Sequence, residues 1–377
     1  MASSPYASAL GRLLPEFPAF LSRDIWPPLV AARDPAEVAK VLEETAYAPY
    51  LDAARATHQG LSLVEIAINR TFVRRNRKAY EAAPFAGRPV VALYLARYDV
   101  QNIELILSAK AQGRPVHDTE DSLISSREIS AGLYAGVLTL DDYRNLLEQP
   151  TVEAVATQLV RYNAYGTTIL PLLEAYARTR DIFPILHALE VEYYRGVLAG
   201  VKYFQGDEWI VRELLKSEID GKNALLLLKA KAASLPLEEV TARWIDGGSL
   251  PASESADLYG ARGVPELAER LAPHFPSITE GNGEFQSSGS LAGYESATER
   301  DRAVRELKRL RAYPLSLGVI FAYLLRAEVE RDDVRRVTFG RLYGLAADRI
   351  EPLLVSPRLS EGRARPAAGA PSAAGVP

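Results

Sequence analysis

The sequence predicts an all-α protein built from three similar helical units. A helix-like segment occurs three times along the 377 residues, and long stretches place apolar residues at helical spacing. No stretch shows the sustained alternation of apolar and polar residues that is typical of a half-buried strand, and β-hairpin signals between strand-like runs are missing. We therefore expect helices and short connections throughout the folded part of the chain.

The recurring segment is an amphipathic helix that opens with an acidic residue and closes with a basic one. In the first copy Asp99, Asn102, Ile106 and Lys110 return to one face of a helix. The second copy stands 121 residues later, and a weaker third copy stands 110 residues beyond the second. The matching residues of these two copies are Asp220, Asn223 and Lys231, and Glu330, Asp333 and Arg341.

A capped helix explains each copy by itself, because an acidic start and a basic end suit the helix dipole. We expect Asp99 and Asp220 at a helix start or a break, with Gly221 favouring a break, and the lysines in the last turn. Recurrence at about 120 residues indicates three related units. The copies could form three equivalent ligand pockets, but Asp333 replaces the asparagine, which favours capping and ion pairs between units.

A second element also recurs, and it consists of short helices interrupted by Pro and Gly. Residues 22–25 (Ser-Arg-Asp-Ile) match residues 126–129 (Ser-Arg-Glu-Ile), and residues 130–134 match residues 255–259. Long helices are expected between these elements. They are predicted at 61–83, within 155–204 as two helices, at 294–313 and at 316–345, after a short helix at 6–17.

The two repeats together divide the chain into units at residues 1–116, 117–240 and 241–355. In each unit, short helices are followed by long helices and then by the acid–base helix. Residues 356–377 are Pro, Ala, Gly and Ser with three arginines, so we expect them to form a disordered tail.

Composition and motifs argue against several functions. The net charge of −4 and the pI near 5.8 do not favour nucleic-acid binding, and the absence of cysteine excludes disulfides and thiol chemistry. The four histidines, 58, 117, 187 and 274, lie too far apart for a short-range metal motif. No phosphate-binding, hydrolase or dinucleotide motif is present. We expect no catalytic, cofactor-binding or metal-binding residues.

Some polar stretches have both a structural and a functional interpretation. The Gly/Ser-rich residues 280–293 could cradle a phosphate, but a flexible connection is favoured. Glu190 and Glu192 stand at i and i+2, so they should point apart. Two basic faces could meet an acidic partner, although solvated or locally paired faces are more common. These faces are Arg70, Arg74, Arg77 and Lys78, and Arg302, Arg305 and Arg309.

From the sequence we expect neither a signal peptide nor a transmembrane segment. The first residues lack a basic start and an apolar core, and the longest uncharged stretch, residues 312–325, is shorter than the roughly 20 residues a spanning helix needs. If the protein works at a membrane, we expect it to be peripheral.

Three phrases in the sequence resemble the C subunit of the V/A-type ATPases, which corresponds to the d subunit of the eukaryotic enzymes. The resemblance covers about residues 6–355 and leaves out the tail. The phrases are Tyr98-Asp99-x-x-Asn102-Ile103 with Lys110-Ala111-x-Gly113-Arg114-Pro115, then Glu218-Ile219-Asp220-x-x-Asn223 with Lys229-Ala230-Lys231, and Pro314-Leu315-x-Leu317-Gly318 with Tyr323.

The resemblance implies a funnel of three similar domains with pseudo-threefold symmetry and an axial cavity. It implies a non-enzymatic rotor part without cofactor, small-molecule substrate or nucleic acid. Such a part seats the D and F shaft subunits on the membrane proteolipid ring and transmits torque for ATP-coupled proton or sodium transport. It lies peripherally at the cytoplasmic face, where we expect polar contacts with the ring. An α-helical repeat scaffold unrelated to an ATPase is the alternative, and an all-α enzyme is a third possibility.

Overall fold

The structure is a computed structural model that describes residues 4–114, 119–120, 123, 138–162, 165–202 and 206–359. Every regular element in these ranges is a helix, which confirms the all-α prediction. None of the described helices combines the length and the apolar character required to cross a bilayer.

The helices are numbered in chain order. The first are α1 (Ala7–Leu13), α2 (Trp26–Ala31), α3 (Pro35–Leu42), α4 (Ala48–Ala54), α5 (Gly60–Ala82), α6 (Arg88–Leu95) and α7 (Arg97–Gln112). The middle ones are α8 (Leu140–Glu148), α9 (Val152–Arg161), α10 (Gly166–Ile169), α11 (Leu173–Thr179), α12 (Phe183–Val201), α13 (Glu208–Ala232) and α14 (Leu237–Ala242). The last are α15 (Ser255–Tyr259), α16 (Val264–Leu271), α17 (Asn282–Ser288), α18 (Ala292–Arg311), α19 (Leu317–Leu342), α20 (Ala347–Ile350) and α21 (Ser356–Leu359). Short 3₁₀ segments lie at Leu14–Ala19, Arg23–Ile25, Leu170–Leu172, Ala252–Glu254, Ile278–Gly281 and Glu351–Leu353.

The long helices follow from apolar residues that recur at helical spacing. The predictions at 61–83, 294–313 and 316–345 are confirmed by α5, α18 and α19, each within a few residues at either end. The two helices predicted within 155–204 are in fact several, because Gly166 and Pro171 interrupt the first half, and only α12 is long.

Two predictions about loops and ends are wrong. Residues 280–293 contain a 3₁₀ turn and α17 in place of a flexible loop, because Gly281 packs directly against the backbone of Tyr294 and the Tyr294 hydroxyl donates to Asn282 at 2.8 Å. The folded body also extends past 355, since Ser356–Leu359 forms α21. Residues 360–377, the 126–134 repeat and the 116/117 boundary lie outside the described residues.

The apolar core joins the beginning of the chain to its end. One cluster contains the short helices α2–α4 and the first half of α5, together with Val334 and Val337 of α19. Ile350 and Leu354, which follow α19, complete it. The C-terminal half of α19 therefore packs on the N-terminal short helices, and a larger cluster buries α6, α7, α12 and the first halves of α13 and α19.

Two of the acid–base helices, α13 and α19, run side by side in the same direction, and the start of the third, α7, reaches both. At the start of α13, the Trp209 ring meets Tyr313, just before α19, with ring centroids 5.1 Å apart. About ten residues farther along, Glu218 of α13 and Glu328 of α19 both reach Arg97 near the start of α7. Buried leucines of α13 and α19 fill the level between these two contacts.

Large apolar side chains are exposed at the end of the molecule where α13 and α19 begin. We call this surface, formed by Phe85, Trp209, Tyr313 and Leu315, the apolar end. Tyr6 lies close to the three segments that form the apolar end. Its ring is next to Gly87 and Leu317, and burial together with the charges of Asp207 and Glu208 raises the pKa of its hydroxyl. Phe85 is 90% exposed, so its ring is available to a partner.

Candidate functional site

The basic ends of the three acid–base helices make the same kind of contact. Each basic side chain donates a hydrogen bond to a main-chain carbonyl of one of the last two residues of a short helix. The pairs are Lys110 to Leu147, Lys231 to Tyr259, and Arg341 to Val30. Because Arg341 reaches back to α2, the last acid–base helix closes the chain onto its first short helices.

The Asn positions hold the chain segment that returns after each helix. Asn223 accepts from the Ile245 main-chain N–H at 3.0 Å and donates to its carbonyl at 2.8 Å. Asp333, the equivalent residue, accepts from the N–H groups of Val355 and Ser356. Both partners stand 22 residues downstream, so the change from Asn to Asp keeps the same acceptor role. Asn223 and Asp333 therefore tie these downstream segments to their helices.

The acidic positions also bind neighbouring segments. The predicted position near a helix start is confirmed for Asp99, and the predicted start or break is wrong for Asp220. Asp99 accepts from Tyr143 inside the first turn of α7, whose cap is Ala96. Asp220 accepts from the Leu250 N–H at 2.8 Å and lies in the middle of α13, which continues through Gly221. The predicted positions of Lys110 and Lys231 in the last turn are confirmed.

Glu330 accepts hydrogen bonds from three different segments of the chain. It accepts from the Leu21 N–H at 2.6 Å, the Tyr47 hydroxyl at 2.9 Å and the Arg75 guanidinium at 2.7 Å. Burial raises the pKa of Tyr47 well above its usual value, and the Glu330 charge raises it further. Tyr47 therefore stays protonated and donates to Glu330, which ties α19 to α4 and α5.

Two residues before each acidic position, three side chains meet and form the central cluster: Arg97, Glu218 and Glu328. Arg97 holds Glu218 through two hydrogen bonds of 2.6 Å and lies 3.6 Å from Glu328. The Tyr94 and Tyr193 hydroxyls accept from the same guanidinium at 3.1 to 3.3 Å. Charge-assisted bidentate pairs of this kind are strong and geometrically specific.

Burial controls the charge state of this cluster. Burial alone would raise the pKa of Glu218, but Arg97 and then Arg302 hold it below its usual value. Glu328 is farther from Arg97, and burial raises its pKa. The cluster thus contains one fixed cation and one fixed carboxylate, with a second carboxyl that is easier to protonate.

The central cluster borders a polar cavity of about 330 Å³, the central cavity. Its walls come from the three acid–base helices and from α12 and α18. Seven carboxyl groups and four cationic groups line it. They are Glu104, Glu190, Glu218, Glu295, Glu299, Glu328 and Asp332, and Arg97, Lys222, Arg302 and Arg336.

Most of the other ionised groups at the wall are paired with a neighbour. Lys222 pairs with Glu190, Arg336 with Glu299, Lys229 with Glu295 and Arg331 with Asp332. Carboxyl groups outnumber cations at the wall, and burial raises the pKa of three of them, Glu104, Glu299 and Glu328.

The two basic faces from the sequence are largely used inside the protein. Arg302 is 9% exposed and lines the cavity, and Arg305 donates to the His274 carbonyl and to Ser217. On the other face, Arg77 pairs with Glu81 and Lys78 with Glu16, while Arg74 is exposed. The structural interpretation therefore applies to most of these residues.

The remaining candidates agree with their structural interpretations. Glu190 and Glu192 do not act together, because Glu190 pairs with Lys222 and Glu192 with Arg195. Among the described residues, no group of three His, Cys, Asp or Glu side chains is placed to hold a metal ion.

The central cluster was not anticipated from the sequence. Its signal is nonetheless present, since Arg97 and Glu218 keep the 121-residue offset and Glu328 stands 110 residues beyond Glu218. Opposite charges at equivalent positions of the repeat could have indicated that these side chains form ion pairs.

A buried ionic centre among parallel helices, joined to a polar cavity, defines a helical structural subunit. Residues 18–353 match the family model for the ATP synthase (C/AC39) subunit. The C subunit of the A-type ATP synthase of Thermoplasma acidophilum is 32% identical over 353 residues, covering 94% of this chain and 99% of that protein. Its counterpart in Thermoplasma volcanium is also 32% identical, over 93% and 98%, and that in Halorubrum lacusprofundi is 28% identical, over 85% and 89%.

The chain belongs to the ATP synthase (C/AC39) subunit family. It is therefore a structural, non-catalytic subunit with a role in a rotary ATPase, and other subunits of that complex are its partners. Membership of this family speaks against both the unrelated scaffold and the all-α enzyme.

Proposed function

We propose that the chain is the central-stalk adaptor of a rotary V/A-type ATPase. It seats the shaft formed by the D and F subunits on the membrane proteolipid ring, at the cytoplasmic face, and transmits torque for ATP-coupled proton or sodium transport. The observation that supports this proposal most directly is the central cavity. The three acid–base helices line it with residues at equivalent positions of the repeat, Arg97, Glu218 and Glu328.

The threefold organisation of the chain is part of the proposal. Units at 1–116, 117–240 and 241–355 would form a funnel in which each acid–base helix supplies one side of the cavity. A shaft end lodged there would be loaded from three sides, which suits a part that rotates without slipping. The contacts of Lys110 and Lys231 with later short helices, and of Arg341 with α2 at the beginning of the chain, would transmit the load from each unit to the next.

We assign the apolar end to the proteolipid ring. It lies at the starts of α13 and α19, and buried leucines separate it from the central cluster, so it faces away from the cavity. Exposed apolar patches commonly mark protein–protein contacts. The ring contact therefore includes apolar side chains such as Phe85 and Trp209 beside the expected polar ones.

Reconstitution tests the proposal directly. The protein is stripped from the assembled enzyme, and ATP hydrolysis and ATP-driven ion pumping are then measured with and without it. We expect pumping to disappear while hydrolysis by the catalytic head is retained, and pumping to return when the protein is added back. Ion pumping that continues undiminished without the protein would refute the adaptor role.

A further inference from the structure

Two buried groups at the wall of the central cavity have no hydrogen-bond partner among the described residues. They are Nη1 of Arg302 and the hydroxyl of Thr298, on residues that are 9% and 2% exposed. Both residues line the cavity from α18. An unsatisfied buried donor costs about 1–3 kcal/mol, and more for a charged group, so these donors favour an acceptor from outside the chain.

One carboxyl group at the same wall is also without a partner. Glu104 makes no hydrogen bond or ion pair with a described residue, although Glu190 and Lys222 lie near it. Burial and the Glu190 charge raise the pKa of Glu104 to about 8. The cavity therefore presents one carboxyl group on α7 and two donors on α18, Nη1 of Arg302 and the Thr298 hydroxyl, that have no hydrogen-bond partner among the described residues.

The ion pairs at the wall show which groups an occupant would have to satisfy. The other three cations each pair with a carboxylate: Arg97 with Glu218, Lys222 with Glu190 and Arg336 with Glu299. An occupant that completes the cavity must supply a cation for Glu104 and hydrogen-bond acceptors for Arg302 and Thr298 at the same time.

We propose that the tip of the shaft inserts a lysine or arginine side chain, flanked by free main-chain carbonyls, into the central cavity. This inference rests on the proposed function and specifies the chemistry of the partner. The cation would pair with Glu104, and the carbonyls would accept from Arg302 and Thr298. Free carbonyls beside a basic side chain are typical of the last turn of a helix.

Size and charge distinguish this occupant from others. A helix with its side chains is about 10–12 Å wide, so a cavity of 330 Å³ admits a tip and not the body of the shaft. A free anion would accept from Arg302 and Thr298 but would leave Glu104 without a cation. A small metal cation would pair with Glu104 but would leave the Arg302 and Thr298 donors unsatisfied.

The test measures binding of the purified D–F shaft from the same enzyme to this protein and its variants. Glu104→Gln removes the unpaired acid with little change of shape, and Arg302→Lys keeps the charge but removes the guanidinium donors. Glu238→Gln, on the exposed surface of α14, removes one negative charge elsewhere and serves as the matched control. Far-UV circular dichroism confirms that each variant is folded.

We expect both cavity variants to weaken shaft binding by about tenfold or more, as observed when one partner of a buried interfacial pair is lost. Glu238→Gln should bind like the unmodified protein. Charge reversal adds a rescue test: Glu104→Lys should bind poorly, and an acidic replacement of one basic residue at the shaft tip should restore binding.

A thiol probe separates this inference from the proposed function. Because the chain has no cysteine, Gln101→Cys introduces a single thiol at the cavity wall, and Arg262→Cys introduces one at an exposed surface. The shaft should protect the first from maleimide and not the second. Protection at Gln101→Cys with unchanged binding by Glu104→Gln and Arg302→Lys would overturn the inference alone. Absence of shaft binding, or of protection, would overturn both.

Discussion

The stability of the central cluster can be tested by removing its only cation. Arg97→Met keeps an unbranched side chain but deletes the guanidinium that holds Glu218 and Glu328. The side chains of Arg97 and Glu218 are 6% and 9% exposed, so water cannot easily replace the lost contacts. The variant therefore leaves two nearly buried carboxyl groups with Arg302, which forms no hydrogen bond to either, as their remaining counter-ion.

Breaking a buried ion pair by removing one partner typically costs about 3–5 kcal/mol, because the other charge is left uncompensated. With an unfolding entropy of about 2.1 cal/mol/K per residue, that loss lowers the melting temperature of this chain by roughly 4–6 °C. Arg195→Met is the matched control. Arg195 pairs with Glu192 on the surface with its side chain 73% exposed, and such pairs contribute about 0–1 kcal/mol.

The pH dependence identifies the cause of the loss. In the unmodified protein Arg97 lowers the pKa of Glu218, so this pair stabilises the folded state above the unfolded pKa of a glutamate. Without Arg97, burial should raise that pKa, so the folded variant should bind protons more tightly than the unfolded chain. The variant should then lose stability as pH rises, and its deficit should be larger near pH 8 than near pH 5.

Urea unfolding followed by circular dichroism at both pH values measures these differences. The double variant Arg97→Met/Glu218→Gln should recover part of the loss, because one of the two carboxylates is removed with its partner. A deficit for Arg97→Met below about 1 kcal/mol near pH 8, or an equal deficit at both pH values, would refute this account of the cluster.

Three further predictions concern other positions. Asp220→Ala should cost about 1–3 kcal/mol of unfolding free energy, because the buried Leu250 N–H loses its acceptor; unchanged urea unfolding would contradict it. Burial and the Glu190 charge raise the pKa of Glu104 to about 8, so its ionisation lowers the stability of the unmodified protein as pH rises from about 4.5 to 8. Glu104→Gln should remove this part of the pH dependence, and a stability–pH curve parallel to that of the unmodified protein would count against it. Phe85→Ser should leave the melting temperature unchanged but weaken binding to the isolated proteolipid ring, as measured by co-sedimentation, and equal binding would argue against the apolar end as the ring contact.

The sequence predicted helix types and positions well where apolar periodicity was strong. Helices α5, α18 and α19 have apolar residues that must face a core, and nearly any packing of this chain requires them to be helical. The break at Gly221 was wrong for a local reason. Gly221 is buried in the middle of α13 beside Thr298 of α18, and the packing of the two helices compensates its low helix propensity.

The central cavity could not be predicted in the same way. The repeat showed that Asp99 and Asp220 are equivalent, but it did not show which face of each helix meets the others. Arg302 illustrates the difficulty, because its spacing with Arg305 and Arg309 is that of a solvated face while its guanidinium lies inside the protein. Only the packing of α18 against α13 and α19 determines this.

The unequal residues of the central cluster also indicate what one continuous chain permits. Three identical protomers around an axis would place the same side chain at each equivalent position, giving three arginines or three glutamates that repel one another. Repeats joined in one chain can diverge, so Arg97 can face Glu218 and Glu328 and the charges balance more closely. The same divergence means that the three sides of the cavity carry different residues. A rigid shaft tip would therefore fit the cavity in only one orientation about its axis.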